Sequence, residues 1–318
     1  MAWEYEGLFD AIPRAEENLL AEYWKSEETE IRVGNMGYRT RTTKAGTRLE
    51  AEVYPIYGRA KESVANKAMK KITPDSMKKI NIKNAKRRLI LIMEENFNYF
   101  QDELFTLTYT KQPEDNERLE KDFRNFVLRV KRYRERNGLP EMKYVWSYGH
   151  DKKGGMHIHG AMTGGIDKLQ LIKLWGKGIV NCSPLQYYGK GVEGAANYLY
   201  KQNEMEKQRG EREYFHMWRA SKNMRKPKEH VSDSKISNRK VKQIARTFGA
   251  DAKAIMEKIY PGYVLEEQVT PKFSDVIDGV YIKCIMRKVE DGNEKRAKNQ
   301  KRSKDHEKVH EAAAGPAA

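Results

Sequence analysis

Six runs between residues 104 and 182 switch back and forth between two periodicities, and this constrains the fold more than any other feature of the chain. In Leu104-Phe105-Thr106-Leu107-Thr108-Tyr109, Phe105, Leu107 and Tyr109 fall on one face and Thr106 and Thr108 on the other, which predicts a β-strand. Leu119, Phe123, Phe126, Val127, Val130 and Tyr133 then recur at helical spacing with Arg and Lys opposite, and Gly138 and Pro140 stop that helix. Residues 143–148 predict a second strand, 149–155 a turn, 156–162 a third strand, 169–175 a short helix and 178–182 a fourth strand. Strand, helix, strand, strand, helix, strand is the ferredoxin-like order, an α+β fold around an antiparallel sheet. One more helix is expected from Glu193 to about Gln208.

The third strand carries Met156-His157-Ile158-His159-Gly160. Residues two apart on a strand share a face, so His157 and His159 present two imidazoles side by side while Ile158 points into a core. That is half of a metal site. One sheet face then collects Phe105, Leu107, Met156 and Ile158 and should be covered by helices. The other offers Thr106, Thr108, His157 and His159, and is expected to stay free for a substrate. In Tyr198-Leu199-Tyr200-Lys201, on the predicted last helix, residues three apart share a face, so Tyr198 and Lys201 project together and Tyr200 does not join them. Gly194 and Ala195, one turn earlier, leave room for a bulky phosphate. A metal-polarised phosphate beside a tyrosine is what DNA nicking by covalent catalysis requires.

The formal net charge of +16 over 318 residues calls for a polyanionic partner, because basic patches concentrate nucleic acid by counterion release. A membrane is not that partner: Leu89-Ile90-Leu91-Ile92-Met93 is far too short to span a bilayer, and Met1-Ala2-Trp3-Glu4-Tyr5 lacks the regions of a secretory signal. The two cysteines, Cys182 and Cys284, have neither disulfide-framework nor zinc-site spacing, so a cytoplasmic location is expected. The chain has no Gly-x4-Gly-Lys-Ser/Thr run, hence no attached helicase.

Four parts are expected: a basic N-terminal extension (1–86), a domain carrying the strand–helix series (87–208) that the resemblance named below makes the catalytic one, a C-terminal accessory DNA-binding region (209–286) and a polar, disordered tail (287–318). The extension holds a possible strand pair at 31–33 and 48–54. Its strongly basic residues 79–88 lead into an apolar helical run, 89–97, and deliver positive charge to the next domain. Residues 214–228 interleave aromatic and basic side chains. They suit single strands by stacking and phosphate contact, with Arg225, Lys226 and Lys228 as candidate DNA-binding cations, or else form a core-packing strand followed by a loop. Residues 237–248 and 250–259 read as two helices around Gly249, compatible with a helix-turn-helix.

Phe105-Thr106-Leu107-Thr108-Tyr109, His157-Ile158-His159 and Tyr198-Leu199-Tyr200-Lys201, in that order, resemble the three motifs of the HUH endonucleases. Within that group the chain looks like the rolling-circle replication initiators (Rep proteins) of bacterial plasmids and single-stranded DNA phages, because conjugative relaxases place the tyrosine before the histidines. The resemblance spans about residues 87–208. It implies that His157 and His159 hold Mg²⁺ or Mn²⁺, that Tyr198 attacks the scissile phosphate to give a 5′-phosphotyrosyl link, and that Lys201 is the motif lysine that helps position the phosphate. Many relatives supply a third metal ligand about eight residues before the first histidine. Gly149 stands there, and the adjacent His150 is the candidate. The implied partners are single-stranded and origin DNA, a host helicase, and a host polymerase primed by the freed 3′-OH in a bacterial cytoplasm, with religation at termination. A non-enzymatic alternative is an RRM-like nucleic-acid-binding module, which needs aromatics where the alternation puts histidines and threonines. A two-histidine phosphoesterase needs two separate His-x-Ser/Thr motifs, and only one histidine cluster is present.

Overall fold

The computed structural model describes residues 37–56, 74–150, 154–186, 191–199, 218–273 and 279–289. Over these residues the chain is α+β, with two antiparallel sheets. It starts with a hairpin, β1 (Tyr38–Ala45) and β2 (Arg48–Pro55), and a long helix α1 (Pro74–Asn96). The expected ferredoxin-like series follows: β3 (Glu103–Thr108), α2 (Asn116–Arg136), β4 (Tyr144–His150), β5 (Met156–Met162), α3 (Lys168–Trp175) and β6 (Val180–Pro184). A helix α4 (193–199) and a short strand β7 (Arg219–Ala220) come next. The chain continues through β8 (Lys228–Ser232), α5 (Asn238–Arg246), α6 (Ala252–Ile259), β9 (Tyr263–Leu265), β10 (Lys272–Phe273) and β11 (Val280–Lys288).

The central sheet runs β6-β3-β5-β4-β7. Its first four strands have the interleaved order that the ferredoxin-like series produces, and β7 extends the β4 edge. Helices α2 and α3 cover one face. Phe105, Leu107, Trp146, Tyr148 and Ile158 meet Leu119, Phe123, Phe126, Val127 and Val130 there, with the rings of Phe123 and Trp146 4.3 Å apart. Asp115 caps α2 by accepting from the Arg118 N–H. Gly160 is required by close approach: a Cβ there would lie 2.8 Å from the Phe105 ring and would also strike the Val145 carbonyl.

The other face differs from the expectation of an open surface. Leu89, Ile90 and Met93 of α1, with Val192 just before α4 and Ala196 and Leu199 within it, bury Val145 and Ala161 in a second apolar layer. At the end of the sheet that bears the histidines the cover is uneven: His159 is fully buried, whereas Thr106, Thr108 and His157 stay partly exposed. Trp218 packs against the same layer and donates from Nε1 to the Ala85 carbonyl at 3.0 Å, so at this position the aromatic run serves the core rather than base stacking.

The second sheet runs β10-β11-β2-β1-β8, with β9 also paired to β11. It joins segments that the four-part division had kept separate: Cys284 of β11 lies opposite Ala51 of β2, and His230 of β8 lies opposite Thr42 of β1. Arg287 and Lys288, assigned to the tail by composition, complete β11. The expected strand at 31–33 lies outside the described residues. On one face, Leu49, Ala51, Val53, Ile282, Cys284 and Met286 pack on α5 and α6. Alternation sends Arg48, Glu50 and Glu52 to the opposite face, towards α1. Arg87 of α1 pairs there with Glu50 at 2.5 Å and Glu52 at 3.4 Å, so this member of the basic run is engaged by carboxylates of the second sheet. Among the described residues no helix is long and apolar enough to cross a membrane.

Candidate active site

The strand register builds the site. Thr106 lies opposite His159 and Thr108 opposite His157 on β3, while Ser147 lies opposite His159 and Gly149 opposite His157 on β4. Directly opposed residues share a face, so Thr106 and Ser147 flank His159 on its two sides. The alternation of 143–148 contained the signal that places Ser147 there. The same register separates His150 from the pair. It lies opposite Met156, in phase with Trp146 and Tyr148 on the α2 side, and β4 runs through it where a turn was expected.

The two imidazoles stand 4.6 Å apart, centroid to centroid, at 65°. His157 is partly exposed, and its Nδ1 lies 3.4 Å from the Gly155 carbonyl oxygen, which leaves Nε2 for a ligand. His159 is fully buried, and neither of its ring nitrogens has a hydrogen-bond partner. Burial, and secondarily the neighbouring His157, pushes its pKa down to about 3. The ring is therefore neutral at physiological pH with a lone pair to donate, which is the state a metal needs.

Helix α4 brings the tyrosine. Val192, Ala196 and Leu199 hold it to the apolar layer, and Tyr198 turns outward, half-exposed, with its ring 5.9 Å from that of His159. Gly194 is exposed with open space about its Cα, in keeping with an approach path for phosphate. Lys201 and Tyr200 lie outside the described residues. Among the described residues no group of three or more His, Cys, Asp and Glu side chains has metal-binding geometry.

The start of α4 is fixed by a residue with no warning in the sequence. Glu94 of α1 accepts from the Val192 N–H at 3.3 Å and from the Tyr99 hydroxyl at 3.0 Å. Gly191 passes over this carboxylate at φ +72, where a Cβ would strike Glu94 Oε1. Glu193 pairs with Arg48 of the second sheet at 3.5 Å.

The candidate DNA-binding cations lie apart from the histidines in the chain's contacts. Arg225 is tied to α1, donating from Nη2 to the Glu95 carbonyl at 2.8 Å with its Nε 3.6 Å from the Glu95 carboxylate. Lys226 is exposed, and Lys228 begins the edge strand β8.

Residues 102–209 match the model of the replication-associated protein ORF2 family. No curated protein and no solved structure matches the chain. The matched span runs from β3 through α4 and takes in Thr106, His157, His159 and Tyr198. Over the elements that form this site, the chain is therefore similar to replication-associated proteins.

Proposed function

We propose that the protein is a rolling-circle replication initiator that nicks one DNA strand through a phosphotyrosyl intermediate on Tyr198. The observation that carries this reading is the placement of the half-exposed Tyr198 ring 5.9 Å from His159, a buried imidazole with two unpartnered nitrogens. The similarity of 102–209 to replication-associated proteins supports it independently.

His157 and His159 would hold the divalent cation, and a nitrogen pair suits Mn²⁺ better than the oxygen-seeking Mg²⁺. When bound, the ion polarises the scissile phosphate and offsets the charge that develops on it. Tyr198 Oη loses its proton to solvent and attacks phosphorus. The P–O3′ bond breaks, the 3′ oxygen takes up a proton, and the 5′-phosphate stays on Oη. Lys201, by its resemblance to the motif lysine, favours the phenolate. Attack by a 3′-OH on the phosphotyrosyl group reverses these steps and religates the strand. The buried floor of Val145, Ala161 and Leu199 holds α4 against the sheet, so the nucleophile and the histidines keep their separation.

The test is incubation with circular single-stranded DNA of the same replicon and Mn²⁺, followed by denaturing electrophoresis. A covalent protein–DNA adduct is expected. Its absence from active wild-type protein that still binds the DNA would overturn the enzymatic reading in favour of a binding module.

A further inference from the structure

We propose that the exposed face of α5 is a duplex-DNA binding surface, separate from the histidine site. The choice of DNA as partner rests on the reading of the protein as a replication initiator. The surface itself is defined by its own geometry.

Helix α5 reads Asn238-Arg239-Lys240-Val241-Lys242-Gln243-Ile244-Ala245-Arg246, with four cations and no acid. Val241, Ile244 and Ala245 are fully buried against the second sheet, so the helix cannot roll. Arg239, Lys242, Gln243 and Arg246, spaced three and four apart, form the opposite stripe and line a groove of about 470 Å³ together with Asn238 and Thr247. Among the described residues none of the four cations forms an ion pair, whereas Arg48, Arg87, Arg219, Arg225 and Arg287 all do. The nearby Asp251 accepts from Gln243 instead, at 2.7 Å. Like charges three and four apart oppose helix formation, so this stripe is kept against its own electrostatics.

Three features select a duplex. A nine-residue helix is about 13.5 Å long, close to the roughly 12 Å width of the major groove. The stripe holds no aromatic ring on which unpaired bases would stack. Ser237 makes no side-chain cap, so the first-turn N–H groups at the positive end of the helix remain available to a backbone phosphate. Asn238 and Gln243 add side-chain amides of the kind that read base edges.

The experiment replaces Arg239→Gln, Lys242→Gln and Arg246→Gln together. Glutamine has nearly the helix propensity of the residues it replaces, and the buried face is untouched. Binding to a short random-sequence duplex and to one of its single strands is followed by anisotropy over a salt series in EDTA, where no cleavage occurs. A second variant, Lys121→Gln, Arg124→Gln and Arg132→Gln on the exposed side of α2, removes the same charge elsewhere. The expected result is that the α5 variant loses about two to three units of the duplex salt slope, at roughly 0.9 per phosphate contact, while the α2 variant keeps its slope. An unchanged slope, or an equal loss in the α2 variant, overturns the proposal. Adduct formation on single-stranded DNA with Mn²⁺ should survive in the α5 variant. If wild-type protein forms no adduct, the nicking reading fails while the duplex result still stands.

Discussion

Arg287 of β11 donates from Nη1 to Oε1 of Glu94 on α1 at 2.9 Å, and both side chains are buried. The same carboxylate receives the Val192 N–H at the head of α4, so one ion pair joins the second sheet to the helix that carries Tyr198. Arg287 also reaches Glu266 at 2.8 Å and the Thr47 hydroxyl at 3.0 Å, which ties the β1–β2 turn and the segment after β9 to this point.

Removing the charge of Glu94 should loosen that joint. Glu94→Gln is expected to cost about 3 kcal/mol in a urea titration, the lower end for breaking a buried pair, because Glu266 still faces Arg287. Adduct formation should slow while single-strand affinity changes little, since α4 loses its anchor and not its DNA contacts. Gly191→Ala, which puts a Cβ against Glu94 at positive φ, should lose about 2 kcal/mol or more and slow the adduct in the same way.

Tyr198→Phe should abolish both nicking and the covalent adduct and leave DNA binding near wild type. Tyr200→Phe should keep most activity. Denaturing electrophoresis of labelled DNA reads both, and a dead Tyr200→Phe beside an active Tyr198→Phe would reassign the nucleophile.

Chelation by EDTA should silence cleavage, Mn²⁺ should restore it, and His157→Ala should not be rescued by any concentration of metal near that which saturates wild type. His157 is the better variant because it is partly exposed, whereas truncating the fully buried His159 would also open a cavity. Full cleavage in chelator would remove the metal from the mechanism.

Acid should destabilise the second sheet through Glu50. Its burial alone would raise its pKa, but Lys283, Arg87 and Arg48 outweigh that and lower it from 4.5 to about 2. A carboxylate with a depressed folded-state pKa contributes stability that is present above its unfolded pKa and is lost as pH falls through the folded one. The urea midpoint should therefore drop between about pH 4.5 and 2. Glu50→Gln should flatten that drop and be less stable at pH 7, since Arg48, 3% exposed, loses the nearer of its two carboxylate partners and keeps only Glu193 at 3.5 Å. An unchanged acid profile in Glu50→Gln would show that other groups set it.

The ferredoxin-like series was legible because both of its periods are local. Two-residue alternation in 104–109 and 156–162, and three-to-four spacing through Phe123, Phe126 and Val130, are set by backbone geometry within each run. His150 departs from the expected turn for a related reason: on a strand a shift of one residue reverses the face, so standing next to Gly149 does not put it beside His157 and His159. The ends of β4 depend on pairing with β5, which extends the strand through His150 where the local pattern suggested a turn.

The sequence by itself determined that His157 and His159 share a face, that Thr106 and Thr108 lie on that face, and that a tyrosine-bearing helix comes later. These follow from periodicity and order. Only the tertiary structure decided that β2 pairs with β11 across more than two hundred residues, that α1 and α4 close over part of the face expected to be open, and that Glu94 holds the head of α4. Such contacts join residues whose local patterns carry no mark of one another, because strand pairing and burial depend on which surfaces remain after the whole chain has packed. The depressed pKa of His159 belongs to the same class. The residue is an ordinary histidine in the sequence, and the layers packed around it take away the water that would stabilise its charge.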